Sequence, residues 1–251
     1  MKVKRTIGGI HAVESALTHF PERILMAWVD AKRSDSRAEE VAAKLRFLGV
    51  PIHSLDRARM GELAEGVVHQ GVMVEIMPAP ELGDQDLQTA LAGSIRHPFF
   101  LVLDHVQDPH NLGACLRSAD AAGVHGVIVT KDQSVGLTPV VAKVACGAAE
   151  TVPLYRVTNL VRALDWLKKA GLWIVGAAGE AEQVVYEVDL NMPSALVMGA
   201  EGKGLRRLTR ENCDFLVKIP MQGSVGSLNV SVATGVLLFE ALRQRSASSS
   251  R

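Results

Sequence analysis

The sequence predicts an α/β protein in which helices cover both faces of a mostly parallel sheet. Strand-like and helix-like segments alternate from residue 99 onwards, which is typical of this architecture. The run Phe99–Leu103 is apolar without alternation, as expected of a strand that is covered on both faces. Hydrophobic residues make up 48% of the chain and charged residues 22%, so the chain is globular and not disordered. Taken alone, these patterns indicate a Rossmann-like sheet.

Residues 1–77 form a smaller predicted α/β domain, which ends where Pro78-Ala-Pro80 and an acidic stretch interrupt the pattern. We assign 78–97 to a linker that carries a helical turn or two, and 98–251 to the second domain. The elements predicted in the first domain are helices at Ile10–Thr18 and Ser36–Leu48, a helix capped by Asp56, and strands at Ile24–Val29, Pro51–Leu55 and Gly71–Met77.

In the second domain, capping residues predict where the helices begin. Thr138-Pro139 is an N-cap followed by the first helical residue, and Thr158 is the predicted cap of the helix at Asn159–Ala170. A further helix is predicted at Asn111–Ala122, and a long apolar helix near Leu228. The remaining strands are predicted at Val124–Val129, Val152–Leu154, Leu172–Gly176, Ala195–Met198 and Phe215–Ile219.

Composition limits the possible functions. The 27 basic and 27 acidic residues balance, so the chain is not basic overall as a simple RNA-binding protein would be, although cations cluster at Met1–Arg5 and Lys203–Arg210. Three cysteines without a CxxC pattern argue against disulfides or zinc and favour the cytoplasm; we expect Cys115 and Cys146 to be buried. The chain shows neither a membrane-length apolar run nor a signal peptide, and we expect no metal site.

Three segments carry the chemical signal. Asp108–Arg117 has the sequence DPHNLGACLR, Val197–Leu205 has VMGAEGKGL, and Lys218–Gly235 has a Gly- and Ser-rich loop between a short strand and the last helix. Small residues allow backbone to approach a ligand closely. The second segment contains Gly-Lys, but it lacks the length of a Walker phosphate loop and the Ser or Thr that follows, so nucleotide hydrolysis is not indicated.

In this order and spacing, the three segments resemble the SpoU family of RNA ribose 2′-O-methyltransferases, and the resemblance covers nearly the whole chain. It implies a SPOUT-type trefoil-knotted catalytic domain, an N-terminal domain similar to L30e-type RNA-binding proteins, S-adenosylmethionine as cofactor, and a homodimer. The implied substrate is a guanosine in the peptidyl-transferase region of bacterial 23S rRNA. A family member that methylates tRNA, and a non-catalytic RNA-binding assembly factor, are the alternatives.

The resemblance also implies roles for individual residues. The implied catalytic residues are Asn111, Arg117, Glu201, Ser227 and Asn229. The implied cofactor pocket contains Met198, Gly199, Ile219, Met221, Ser224 and Leu228, and the implied RNA contacts are Arg5, His11, His69, Gln70, Lys203, Arg206 and Arg207. Because a guanidinium stays charged, we expect Arg117 to stabilise the forming alkoxide and not to remove its proton.

Each implied role has a simpler structural alternative. Asn111 could be a helix N-cap and Arg117 a surface charge, although a separation of six residues suggests that they lie on roughly one side of their helix. Glu201 could be a solvated loop carboxylate. Either Ser227 or Asn229 could be the ordinary N-cap of the last helix.

Overall fold

The computed structural model describes residues 4–31, 36–64 and 66–248. The chain divides into two compact units, Met1–Pro80 and Glu81–Arg251. Within the described ranges, no helix combines the length and the apolar character that are needed to cross a membrane.

The first unit is a four-stranded mixed sheet with helices. Its sheet order is β1-β4-β2-β3, in which only the pairing of β2 with β3 is parallel. The side chain of Asp56 accepts a hydrogen bond from the backbone N–H of Arg59 at 2.9 Å, which confirms the predicted cap. The elements are β1 Arg5–Gly8, α1 Ile10–His19, β2 Ile24–Asp30, α2 Ser36–Phe47, β3 Ile52–Leu55, α3 Arg57–Leu63 and β4 Val72–Ile76.

The second unit is a seven-stranded sheet in which all pairings between strands are parallel, as predicted. Its elements are α4 Asp84–Ala92, β5 Phe99–Asp104, α5 Pro109–Ala121, β6 Gly126–Thr130, α6 Pro139–Ala145, α7 Ala148–Thr151, β7 Leu154–Val157, α8 Leu160–Lys169, β8 Trp173–Ala177, β9 Gln183–Val184, β10 Ser194–Gly199, α9 Arg207–Glu211, β11 Phe215–Lys218 and α10 Val230–Ser248. The order across the sheet is β7-β6-β5-β10-β8-β11-β9.

Strand β5 shows why its sequence does not alternate between apolar and polar residues. Leu101 and Leu103 belong to the hydrophobic core on one face of the sheet, whereas Phe100 and Val102 belong to the core on the other face. All four side chains are fully buried. Both faces of the sheet are therefore covered, as the uninterrupted apolar run predicts.

The sequence misplaced two helix caps. Asn159, not Thr158, caps α8: its Oδ1 accepts a hydrogen bond from the backbone N–H of Arg162 at 3.0 Å. Asp108, not Asn111, caps α5, through a hydrogen bond at 2.8 Å from the N–H of His110. Thr, Asn and Asp all serve as caps, so sequence alone ranks neighbouring candidates poorly.

Several short elements lie outside the sequence prediction. Arg5, which belongs to the cluster of cations at the start of the sequence, lies in β1, and its antiparallel partner is Ile76 in β4. The segment assigned to the linker contains the nine-residue helix α4, whose Leu87 is fully buried in the core of the second unit. Helices α7 and α9 and strand β9 were also not predicted, because they have two to five residues and show no periodicity.

The sheet order brings three chain segments to one edge. Strand β10 lies between β5 and β8, and its last residue, Gly199, pairs with Asp104 at the end of β5. Strand β11 lies on the other side of β8. The segments that follow β5, β10 and β11 are those that contain the three sequence motifs. Ligands of open α/β sheets bind outside the carboxyl ends of the strands, so a site is expected at this edge.

Arg245 ties the end of α10 to the opposite edge of this sheet. Its guanidinium donates hydrogen bonds to the carbonyl oxygens of Leu190, His97 and Met192 and to the hydroxyl of Ser194, at 2.7 to 3.0 Å. It also stacks on Phe99, with 4.2 Å between the guanidinium carbon and the ring centroid. Burial lowers the pKa of Arg245, partly offset by Asp189.

We expect Arg245→Ala to lower the free energy of unfolding by at least about 2 kcal/mol, because several partly buried acceptors lose their donor. Thermal or urea unfolding measures the change. Arg207→Ala is the control, since Arg207 forms an exposed pair with Glu211 and should matter little. Equal unfolding midpoints for the two variants would contradict a stabilising role for Arg245.

Candidate active site

Three polar side chains from the three motifs meet beyond the carboxyl ends of the strands. The amide nitrogen of Asn111 donates to Oε1 of Glu201. The amide nitrogen of Asn229 donates to the same Oε1 at 2.9 Å and to Oδ1 of Asn111 at 3.1 Å. The three residues are far apart in sequence, so only the fold brings them together. We refer to Asn111, Glu201 and Asn229 as the polar triad.

Asn229 uses both ends of its amide. Its Oδ1 accepts hydrogen bonds from the backbone N–H and the hydroxyl of Ser231, at 2.9 and 2.6 Å, which caps the start of α10. Its Nδ2 reaches the other two members of the triad. The N-cap alternative for Asn229 is therefore correct but incomplete, since the same side chain both starts the helix and holds Glu201.

The loop that presents Glu201 folds back tightly on the end of β10. Ala200 and Gly204 form an isolated antiparallel bridge, and the N–H of Gly204 donates to the carbonyl of Ala200 at 3.0 Å. A Cβ atom at Gly199 would lie 2.1 Å from the carbonyl carbon of Gly204, so no side chain fits there. Gly202 and Gly204 both have positive φ angles, of 71° and 62°. These glycines give the loop its tight turn.

Asn111 and Arg117 face different neighbours, which corrects the expectation that they share one side of α5. Over six residues an α-helix turns about its axis by about 120° less than two full turns, so the two side chains point in different directions. Asn111 is 6% exposed and points to the triad, whereas Arg117 is exposed and donates from Nη1 to the sulfur of Cys146 at 3.5 Å. Gly113 lets α6 pack closely on α5, since a Cβ there would lie 2.7 Å from Cβ of Val144. This contact brings the end of α6 beside Arg117.

Asp108 supports the start of α5. Its Oδ1 accepts the hydrogen bond that caps the helix, and its Oδ2 lies 3.4 Å from the amide nitrogen of Asn111. The backbone hydrogen bond from His110 lowers the pKa of Asp108. Asp108 therefore both caps α5 and lies beside the triad.

The residues predicted to bind the cofactor surround the same edge. Met198 is buried at the end of β10, and Ile219 packs against the core just after β11. Met221 is half-buried, while Ser224, Ser227 and Leu228 lie exposed in the segment that leads to α10. Together with Gly199, these residues lie at the ends of β10 and β11 and on the segment that leads to Asn229. Their roles stay predictions.

The three predicted RNA-binding residues of the second unit have different environments. Lys203 lies exposed in the Glu201 loop. Arg206 donates to the side chain of Gln133, and Arg207 pairs with Glu211 at 2.7 Å on α9. All three lie close in sequence to Glu201, so phosphate contacts there would adjoin the triad.

In the first unit, two of the predicted RNA contacts shape a turn. The Nδ1 atom of His69 accepts a hydrogen bond from the N–H of Gly71 at 3.0 Å, and Gln70 has a φ of 44°. His11 is exposed on α1 and lies 3.3 Å from the guanidinium of Arg37. Arg5 lies in β1.

The sequence predicts no site role for Asp104, and one cysteine differs from its prediction. Asp104 ends β5 with a fully buried carboxylate; the signal was an acidic residue directly after an apolar strand. Cys146 is exposed and not buried as predicted, whereas burial raises the pKa of Cys115 to about 11. Over the part of the chain that the structure describes, no group of His, Cys, Asp and Glu side chains could hold a metal ion.

The double role of Asn229 can be tested by separating its two functions. Both Asn229→Ser and Asn229→Asp should keep the helix cap. Only Asn229→Asp places a second carboxylate beside Glu201, at the position where Nδ2 of Asn229 lies 2.9 Å from it. Two adjacent carboxylates resist ionising together, so Asn229→Asp should be the less stable variant at about pH 7, and the difference should shrink near pH 4.5.

Thermal unfolding of both variants at the two pH values measures this. Ionisation of both carboxyls is penalised only in the folded state, so stability is lost as the pH rises and recovered on acidification. A difference that does not depend on pH would show that position 229 does not face Glu201.

Comparison with known proteins agrees with this geometry. Residues 98–239 match the SpoU rRNA Methylase family, and residues 6–82 match the RNA 2′-O ribose methyltransferase substrate binding family. The 23S rRNA (guanosine-2′-O-)-methyltransferase RlmB of Shewanella oneidensis is 57% identical over 245 residues, which is 98% of this chain and 99% of the relative. The enzyme of the same name from Pseudomonas putida is 57% identical over 239 residues, which is 95% of this chain and 96% of the relative.

Among solved structures, the SpoU methyltransferase AviRb from Streptomyces viridochromogenes, in complex with the cofactor AdoMet, superimposes with a TM-score of 0.76 at 26% identity. The match covers 97% of this chain and 91% of AviRb. The matching family covers more than half of the chain, over the residues that form the polar triad. The chain belongs to the SpoU rRNA methylase family.

Proposed function

We propose that this protein transfers a methyl group from S-adenosylmethionine to the ribose 2′-hydroxyl of a guanosine in 23S rRNA. The observation that carries the proposal is the polar triad, in which three motifs of a SpoU methylase meet at the carboxyl edge of the parallel sheet. The Shewanella oneidensis and Pseudomonas putida relatives, which match nearly the full length of this chain, are both named for this reaction.

The residues around the triad fit the proposed cofactor. When bound, S-adenosylmethionine supplies a methyl group on a sulfonium centre. At Gly199 a Cβ atom would collide with Gly204, so the backbone of the Glu201 loop packs directly on the end of β10 at this part of the edge. Met198, Ile219, Met221 and Leu228 would provide apolar contacts, and Ser224 a polar one. Bound there, the adenosine would be held mainly by backbone and apolar groups.

We assign the polar side chains to positioning and charge stabilisation. Glu201 keeps both asparagine amides oriented, which fixes the edge against which the ribose would lie. Ser227, in the exposed segment before Asn229, would orient the ribose hydroxyl. The 2′-hydroxyl would lose its proton to solvent water, and Arg117 would stabilise the alkoxide that forms, since a guanidinium cannot itself accept the proton.

A homodimer would fit two features of the second unit. Val232 and Phe239 on α10 are 53% and 50% exposed, so a second copy could bury an apolar face of this helix. Arg117 lies on α5, which also packs against α10, and its guanidinium contacts Cys146 and not the triad of its own chain. A second copy at this face would help complete the site. The free cysteines favour the cytoplasm as the location.

The RNA would be held by both units, through Lys203, Arg206 and Arg207 in the second and through Arg5, His11, His69 and Gln70 in the first. Support comes from the match of residues 6–82 to a substrate-binding family. The knotted path of the catalytic unit and the likeness of the first domain to L30e stay predictions from the resemblance. The alternatives are a tRNA substrate and a non-catalytic role in ribosome assembly.

Methyl transfer can be measured with radiolabelled S-adenosylmethionine on a panel of 23S rRNA fragments, 16S rRNA and tRNA. We expect label at a guanosine ribose in a 23S fragment, with Arg117→Ala at least about 100-fold slower. Arg117→Lys should retain part of the activity, because it keeps a cation. Arg162→Ala is a matched control, since Arg162 pairs with Asp84 on the surface of α8.

The outcomes of this assay are distinct. Label on tRNA alone would keep the chemistry and overturn the substrate. An equal loss in Arg117→Ala and Arg117→Lys would favour the planar fork of arginine over a simple positive charge. Failure to bind S-adenosylmethionine at all would favour the assembly-factor alternative.

Lys203 provides a separate test of RNA contact. If it neutralises one phosphate, Lys203→Ala should reduce the slope of log K against log salt by about 0.7 to 0.9. Filter binding or fluorescence anisotropy at several salt concentrations gives the slope. Lys169→Ala is the control, because Lys169 is an exposed lysine paired with Asp165. An unchanged slope for Lys203→Ala would remove Lys203 from the RNA interface.

A further inference from the structure

Asp104 has a buried carboxylate directly beside the loop that presents Glu201. It is the last residue of β5 and is 1% exposed. Its Oδ1 pairs with Nδ1 of His105, and its Oδ2 accepts a hydrogen bond from the backbone N–H of Arg206 at 3.0 Å. A buried carboxylate is costly unless it is paired and hydrogen-bonded, and here both oxygens have a partner.

The Arg206 hydrogen bond closes the loop that presents Glu201. Gly199, where this loop begins, lies beside Asp104 in the register of β10 with β5. Arg206, where the loop ends, returns to the same carboxylate. Asp104 therefore fixes the end of the loop beside its beginning.

This loop needs an external anchor because of its composition. Gly199, Gly202 and Gly204 give it backbone freedom, which is required for the tight turn and unfavourable for a fixed position. The Ala200–Gly204 bridge holds the turn from inside. Asp104 is attached to a fully buried strand and so connects the loop to the rigid sheet.

We propose that Asp104 is a positioning residue for methyl transfer: it acts through the 199–206 loop, which it holds so that Glu201 and the backbone beside it are preorganised. His105 pairs with the other carboxylate oxygen of Asp104 and keeps the carboxylate oriented. The φ angle of His105, 64°, turns the chain sharply after β5. This inference rests on the proposed function for its effect on catalysis, but its effect on the loop is independent of that function.

The chain contains a matched control for this chemistry. Oδ2 of Asp214 accepts a hydrogen bond from the backbone N–H of Ile174 at 2.8 Å, and its Oδ1 pairs with Lys168 at 2.8 Å. Asp214 thus also anchors backbone through a paired carboxylate. It does so near the start of β8, at the opposite edge of the sheet from the triad. Asp214→Ala should lower stability without changing the site.

The experiment compares Asp104→Ala, Asp104→Asn and Asp214→Ala with the wild-type protein. The measurements are the dissociation constant for S-adenosylmethionine by calorimetry, kcat and KM for the RNA, the melting temperature, and amide hydrogen exchange over residues 199–206. Asparagine can still accept from Arg206 through its Oδ1, so Asp104→Asn is the conservative variant.

For Asp104→Ala we expect a dissociation constant for S-adenosylmethionine at least about tenfold higher, which corresponds to the loss of one hydrogen bond to a charged group. We also expect a lower kcat, a nearly unchanged KM for the RNA, and faster exchange over 199–206. Asp104→Asn should recover most of the binding. Asp214→Ala should leave cofactor binding and hydrogen exchange over 199–206 unchanged, even if its melting temperature falls as much as that of Asp104→Ala.

Three results would overturn the inference: exchange over 199–206 that is unchanged in Asp104→Ala, cofactor binding lost equally in Asp214→Ala, or no recovery in Asp104→Asn while Asp104→Ala remains folded. Hydrogen exchange separates this inference from the proposed function. A wild-type protein that binds no S-adenosylmethionine would refute the function, and the exchange of the loop would still decide the role of Asp104.

Discussion

The parallel pairing of β10 with β5 is the constraint on which the rest of the second unit depends. It places Gly199 directly beside Asp104 and inserts a late strand between two earlier ones. As a result, the segments that follow β5 and β10 leave the sheet side by side. Their polar residues can then meet although they are far apart in sequence. Because both faces of these strands are buried, a shift in register would move apolar residues out of two cores at once.

The polar triad shows how few groups can organise such an edge. One carboxylate, Glu201, accepts from two amides, and one of these amides also starts the last helix. Amides supply both donors and acceptors, so Asn111 and Asn229 can bond to each other and to Glu201 at the same time. The orientation of α10 is thus coupled to the triad. Asp104, at the end of a strand, connects the loop that presents Glu201 to the sheet.

Much of this organisation could be predicted from local patterns, with errors where several residues compete for one role. Most strands of the second unit lie within about two residues of their predicted bounds because their apolar runs are unambiguous, but β7 ends three residues later than predicted and β9 was not predicted. The cap of α8 was assigned to Thr158 and not to Asn159, since both side chains can accept from a helix N–H. The relation of Asn111 to Arg117 was wrong because six residues do not complete a whole number of turns.

The sequence by itself determined the parallel α/β architecture of the second unit, because apolar runs between helices bury both faces of a sheet whatever their neighbours are. It also supplied the residues of the three motifs. Only the tertiary structure decided that Asn111, Glu201 and Asn229 share hydrogen bonds, that Arg117 turns to Cys146, and that Asp104 anchors a loop. Strand order and the facing of side chains depend on contacts between distant segments, and a local pattern contains no information about such contacts.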